Sequence, residues 1–172
     1  SPMKALRGWL DLTSKIEADK PDLVIRPEGS VSFNPDAERK TKALKASKDA
    51  EPRSPREFFS DLTRDGNFDL LVGGGTIERY KDDEGKRKWK SFNSAYAFTR
   101  AGELEDRYDK IVPLPFGEYI PFSDTFPWLR DLIEGPGNFR PGERPTVFDG
   151  TLADGTPYTY SVPICYEAIL ER

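Results

Sequence analysis

Two short stretches of unbroken apolar sequence, Leu23-Val24-Ile25 and Leu70-Leu71-Val72, constrain the fold of this chain most. A strand with one wet face alternates apolar and polar residues, whereas an unbroken run reads as a strand covered on both faces. Each follows a segment of helical spacing. Leu6, Trp9, Leu10, Leu12 and Ile16 recur between Ala5 and Lys20, and Pro21 stops the pattern. Phe58, Phe59 and Leu62 share a face between Pro55 and Arg64, with Ser54 or Pro55 at the start. Buried strands alternating with helices predict an α/β chain.

The remaining segments read as hairpins and loops. The second apolar run leads into Gly73-Gly74-Gly75; a phosphate-binding loop would continue into Gly-Lys-Ser/Thr, which is absent, so close backbone packing is expected there. Lys90 to Thr99 alternates and should pair with 76–80 across a charged tip, where Lys86, Arg87 and Lys88 neighbour Asp82, Asp83 and Glu84. Tyr108 to Val112 reads as short and extended. Thr146-Val147-Phe148 and Tyr158 to Ile164 read as a hairpin around Asp154-Gly155, running into Cys165. Tyr166 to Arg172 then resembles the first turns of a helix. Residues 34–55 are polar, suiting a surface helix or loop. Residues 113–145 are rich in proline and glycine around Phe116, Tyr119, Phe122, Phe126, Trp128 and Phe139.

Composition removes whole classes of chemistry. With no histidine, every Ser-His, Cys-His and His-metal mechanism is excluded. A single cysteine, Cys165, excludes an intrachain disulfide and a cysteine-rich zinc site. A net charge of −4, with 26 basic and 30 acidic residues well mixed, offers no footprint for nucleic acid. No run of about 18 apolar residues is present to span a bilayer.

Three residues at apparent strand ends carry potential chemistry: Glu28 after Leu23-Val24-Ile25, Lys110 at the start of Lys110-Ile111-Val112, and Cys165 after Val162-Pro163-Ile164. Strand ends are where α/β folds place reactive groups. Singly, each has an ordinary reading: a buried cysteine packs like a small hydrophobe, Pro-Glu-Gly is a surface turn, and lysine is usually solvated. Spacing alone does not decide among them.

The wording of three blocks does. Asp22-Leu23-Val24-Ile25-Arg26-Pro27-Glu28-Gly29-Ser30 resembles the first catalytic block of the nitrilase, or carbon–nitrogen hydrolase, superfamily. Tyr108 to Pro121, with Pro115-Phe116-Gly117-Glu118-Tyr119-Ile120-Pro121 inside it, resembles the second block as found in the apolipoprotein N-acyltransferases. Val162-Pro163-Ile164-Cys165-Tyr166-Glu167 resembles the nucleophile turn of that branch. Gly73-Gly74-Gly75 and Phe92-Asn93-Ser94-Ala95 stand between the blocks in the family's order, so the resemblance covers about residues 20 to 172.

This resemblance implies an αββα sandwich, here partial, lacking the family's first strand and C-terminal half. It makes 1–172 one incomplete nitrilase-like catalytic domain, with 1–20 as its first helix, 34–55 as a variable polar segment and 113–145 as a lid-like region. Glu28 would be the general base, Lys110 the cation beside the thiolate and oxyanion, and Cys165 the nucleophile. Glu118 would support Lys110, a role compatible with a structural ion pair. Tyr166 and Glu167 would hold the nucleophile turn, with the Tyr166 N–H completing an oxyanion hole if Cys165 sits at a strand-to-helix turn. No metal or cofactor is implied.

The implied acyl donor is a glycerophospholipid, passing its acyl chain through a cysteine thioester. The acceptor is the N-terminal amine of a diacylglyceryl-cysteine apolipoprotein. The implied setting is the bacterial inner membrane, with the catalytic domain facing the periplasm. Phe122, Phe126, Trp128 and Leu129 are candidates to touch lipid from the lid-like region or to pack under a neighbouring loop. Arg26 departs from the tryptophan usual before Pro-Glu; it would either pair with Glu28, lowering its basicity, or turn to solvent or a lipid phosphate. The chain ends seven residues past Cys165, and little or no activity is expected of it alone. The rival readings are a soluble amidase of the same superfamily and a catalytically silent module.

Overall fold

A computed structural model describes residues 20–41, 44, 51–123, 125–126, 128–129 and 139–170. Apart from Lys20, the first helix expected over 1–20 lies outside the described residues. The strands are β1 (Leu23–Ile25), β2 (Asp69–Lys81), β3 (Arg87–Phe98), β4 (Leu104–Asp109), β5 (Phe148–Thr151) and β6 (Pro157–Tyr160). Helix α1 spans Pro55–Gly66, and a 3-10 turn spans Cys165–Ile169. β1 to β4 form one sheet in that order, β1 parallel to β2 and the others antiparallel; β5 and β6 form a separate two-stranded sheet.

Helix α1 starts where the sequence predicts. Ser54 Oγ accepts the Glu57 N–H, and the Glu57 carboxylate accepts the Ser54 N–H, a reciprocal cap worth about 1 kcal/mol. Asn67, with φ of 52°, ends the helix in the left-handed conformation that asparagine tolerates. Phe58 and Phe59 face the sheet, meeting Val24, Leu70, Val72, Tyr96 and Phe98. Leu44 joins this core at 3% exposure, so the polar 34–55 segment is anchored and not purely a surface feature.

The opposite face of the sheet carries Leu71, Ala95, Ala97 and Tyr108, covered by Phe148 and Ile164 with Tyr160 and Val162 beside them. Small residues in mid-sheet leave room for the β5–β6 hairpin to lie close. Among the described residues this makes three layers: helix, four-stranded sheet and two-stranded sheet.

Five expectations change in detail. Ile25 is 62% exposed, so β1 is covered on one face only. β4 ends at Asp109, one residue before Lys110, and not at Val112. Its Glu105, Asp106, Arg107 and Asp109 hid it, because charges that face outward or pair with each other erase the apolar signal. β6 stops at Tyr160, leaving residues 161–164 without ladder partners, and the helix read at Tyr166 is a five-residue 3-10 turn beginning at Cys165. The β2–β3 hairpin is longer than predicted, pairing from Leu70↔Phe98 to Lys81↔Arg87.

Candidate active site

The turn after β1 carries Glu28 over the sheet, and a glycine makes room for it. A Cβ on Gly73 would lie 2.6 Å from the Pro27 carbonyl oxygen and 2.8 Å from the Glu28 Cα. These neighbours are backbone and cannot swing aside. We expect Gly73→Ala to displace the Glu28 turn and destabilise the chain by about 1–3 kcal/mol, measured by urea unfolding. Gly74 is equally tight on the other face, against Pro35 and the Phe33 carbonyl. Close packing thus explains two of the three glycines.

Lys110, which sequence statistics would place in solvent, is only 2% exposed. A buried ammonium is costly unless paired. Its Nζ lies 2.7 Å from Glu118 Oε2 and 3.9 Å from Glu28 Oε1. Its backbone is fixed on both sides: Lys110 N–H donates to the Asn93 carbonyl at 2.9 Å, and Gly142 N–H donates to the Lys110 carbonyl at 2.8 Å.

Glu118 returns to Lys110 through a tight loop. Phe116 adopts φ of 62°, its N–H donates to the Tyr119 carbonyl, and Glu118 N–H donates to the Leu114 carbonyl at 2.8 Å. Burial pushes the Glu118 carboxyl up. The hydrogen bond from Lys110, then those from the Leu114 N–H and Asn93, together with the Lys110 charge, outweigh burial and hold it below the ordinary glutamate value.

Asn93, on β3, connects the two carboxylates, a part that sequence reading did not assign to it. Its Nδ2 donates to Glu28 Oε1 and, at 2.6 Å, to Glu118 Oε1. Both partners are acceptors only, so the amide nitrogen must face them. The available signal was an asparagine, poorly suited to strands, between Phe92 and Ser94 in an alternating stretch.

Cys165 is exposed and opens the 3-10 turn with φ of 52°, a conformation costing a non-glycine residue about 1–2 kcal/mol. Glu167 locks this turn. Its carboxylate accepts the Ile164 N–H at 2.9 Å, the Ile111 N–H at 2.8 Å, the Val112 N–H at 2.9 Å and the Tyr108 hydroxyl at 2.8 Å. One side chain therefore ties the Cys165 turn to the segment just past Lys110. Tyr166 is half-buried beside it.

Cys165 and Glu28 line one cavity of about 220 Å³ with Ile25, Arg26, Leu71 and Val162. Arg26 is half-buried at this wall, and burial lowers its pKa from the ordinary arginine value. The structure thus brings Glu28, Lys110 and Glu118 into one ion cluster and sets Cys165 on the same cavity as Glu28. A larger concavity of about 460 Å³ begins at Ile111 and Val112 and includes Tyr119, Ile120, Phe122 and Phe139. Phe122, Phe126 and Trp128 are 76%, 49% and 57% exposed, while Leu129 is half-buried. The Phe126 and Trp128 rings lie 6.4 Å apart.

No family model matches the chain. The apolipoprotein N-acyltransferase of Agrobacterium fabrum is 33% identical over 156 residues, covering 87% of the chain and 25% of that protein. That of Sinorhizobium fredii is 31% identical over 157 residues, again covering 87% and 25%. Apolipoprotein N-acyltransferase 2 of Treponema denticola is 32% identical over 112 residues, covering 63% of the chain and 20% of that protein. In fold, the chain matches an amidase from Nesterenkonia sp. with a TM-score of 0.52 at 18% identity, covering 96% of the chain and 51% of that structure. The chain is a partial, apolipoprotein N-acyltransferase-like nitrilase-fold domain. It spans a quarter or less of these acyltransferases and about half of the amidase. The nitrilase-like α/β sandwich expected from the three blocks is therefore the fold observed, in part, and the family is one of enzymes.

Proposed function

We propose that Glu28, Lys110 and Cys165 form a thioester-making site that moves an acyl chain from a glycerophospholipid to the N-terminal amine of a diacylglyceryl-cysteine apolipoprotein. The observation that carries this reading is the buried Lys110 ammonium held by Glu118 and Glu28, with Glu28 on the cavity that Cys165 lines. Without histidine, a carboxylate is the available base. The Cys165 thiol gives its proton to Glu28, and the sulfur attacks the ester carbonyl. Lys110 and the Tyr166 N–H stabilise the oxyanion. The C–O bond breaks, Glu28 returns the proton to the leaving alcohol, and lysophospholipid departs. The amine then attacks the thioester, loses a proton to Glu28, and expels the Cys165 thiolate, which is reprotonated. A thioester suits this sequence because amines open it far more readily than an oxygen ester.

Glu118 and Glu167 act here as positioning residues, the first on Lys110 and the second on the Cys165 turn. The cavity of about 460 Å³ beside Ile111, together with Phe122, Phe126, Trp128 and Leu129, supplies apolar surface for acyl chains. In this reading the reaction takes place at the bacterial inner membrane, on its periplasmic side, the setting that the family resemblance implies. Among the described residues no helix is long and apolar enough to cross a membrane.

A second reading, a nitrilase-superfamily amidase that sends water to the thioester, is favoured by the small cavity at Cys165, about 220 Å³, which suits a short amide. A catalytically silent module is the third. Little turnover is expected of the 172-residue chain alone, because the exposed Ile25 leaves one wall of that cavity open to water. The discriminating test is intact-mass spectrometry on the full-length protein after exposure to phosphatidylethanolamine vesicles or to short amides. We expect a fatty-acyl adduct on Cys165 that is lost in Cys165→Ala. Amide turnover without that adduct would replace this reading with the hydrolase, and neither would leave the silent module.

A further inference from the structure

Beyond Thr76 and Phe92 the β2–β3 hairpin runs on without β1 or β4 beside it, an arm extending about 17 Å at ordinary strand rise. β1 and β2 are parallel and Glu28 follows β1, so the arm projects from the end of the sheet that holds the site. Its register separates two unlike faces. On one, Glu78 pairs with Arg107, Lys88 with Asp82, and Lys90 lies over the Tyr80 ring. On the other, Ile77↔Ser91, Arg79↔Trp89 and Lys81↔Arg87 continue the face of Gly75↔Asn93. That second face carries no acid. Ile77 and Trp89 are 64% and 72% exposed, and among the described residues no ion pair engages Arg79, Lys81 or Arg87.

Isolated apolar residues on a surface need no explanation, but this combination has a chemical sense. An indole and an aliphatic side chain among unpaired cations match the interfacial zone of an anionic bilayer, where tryptophan sits at headgroup depth and basic side chains meet phosphates. The arm is also continuous with the exposed aromatic segment: Phe139 bridges to Ser91, and Arg140 N–H donates to the Ser91 carbonyl at 2.7 Å. We infer that the Ile77–Trp89 face of the arm rests on an anionic phospholipid surface and holds the Cys165 site at the height of its lipid substrate. The inference builds on the phospholipid-donor reading, yet the contact needs no acyl transfer.

The test uses the Cys165→Ala form of the 172-residue chain with Trp9→Phe and Trp128→Phe, excited where tyrosine does not absorb, so that Trp89 is its one remaining tryptophan. It is added to phosphatidylcholine vesicles with or without phosphatidylglycerol, some carrying brominated acyl chains. We expect Trp89 quenching on vesicles containing phosphatidylglycerol, lessened by salt. Changing Arg79, Lys81 and Arg87 to glutamine should weaken partitioning on the order of a hundredfold, and Lys88→Gln with Lys90→Gln only a few-fold. Quenching in a protein whose wild-type Cys165 takes no acyl adduct would support the contact while removing the acyl-transfer reading. Unquenched Trp89, equal losses from the two variant sets, or retention of single-stranded RNA in place of vesicles would overturn it.

Discussion

Glu167→Ala is expected to destabilise the chain by about 3–5 kcal/mol and to remove acylation of Cys165. The Glu167 carboxylate accepts three backbone N–H groups and one phenol. Hydrogen bonds to a charged group are worth about 1.5–3 kcal/mol each, and they do not add when one side chain makes all of them. Alanine strands the Ile111, Val112 and Ile164 donors together, and leaves the turn's own backbone bond, from the residue 167 N–H to the Ile164 carbonyl at 3.2 Å, to hold Cys165 at φ of 52°. Urea unfolding at constant slope reads the loss of stability. Glu167→Gln keeps an acceptor oxygen and should lose less of both properties. A full-strength adduct in an equally stable Glu167→Ala protein would show that the turn is held by other means.

Lys110→Met should lower the rate of Cys165 acylation by about a hundred- to a thousandfold, since it removes the cation proposed to meet the developing oxyanion. Its stability effect should depend on pH. In the wild type, hydrogen bonding and the Lys110 charge depress the Glu118 carboxyl against the upward push of burial. A depressed carboxyl contributes stability that is present above its unfolded value, near 4.3 for a free glutamate, and lost as pH falls through its folded value. Without Lys110 the burial effect gains weight and the Glu118 carboxyl moves up. The gap between the two proteins should therefore be widest at neutral pH and narrow as pH falls, closing only below the depressed folded value of the wild-type Glu118 carboxyl, where Glu118 is protonated in both. Thermal unfolding across pH measures this. Adding Glu118→Gln to Lys110→Met should recover stability without recovering acylation, which separates the structural ion pair from the catalytic cation.

The contrast between what the residues announced and what they hid has a physical pattern. Helix α1 and the β2–β3 hairpin were legible because their signals are local: a Ser54–Glu57 cap, a Phe58-Phe59 face, and alternation across a charged tip. β4 was misplaced because its charges are satisfied both within the strand and beyond it, as Arg107 is by Asp109 and Glu78. The triad candidates came from the wording of three blocks, and no local property of Lys110 foretold its burial. That burial depends on Glu118 and on a segment whose Gly142 approaches Asp109 so closely that a Cβ there would sit 2.1 Å from the Asp109 carbonyl oxygen. Asn93 was in view as a motif residue, but its bridging of Glu28 and Glu118 joins positions 65 and 25 residues away. Such a role exists only after folding.

The most direct test of a shared site is the reactivity of the thiol itself, which needs neither lipid nor acceptor. The rate of Cys165 alkylation by iodoacetamide at neutral pH would be followed by mass in the wild type, Glu28→Gln and Lys110→Met, each checked for folding by circular dichroism. If Glu28 draws the proton and Lys110 favours the thiolate, both variants should react at least about tenfold more slowly than the wild type. Equal rates in all three folded proteins would contradict the claim that these residues, distant in the chain, act on the same sulfur.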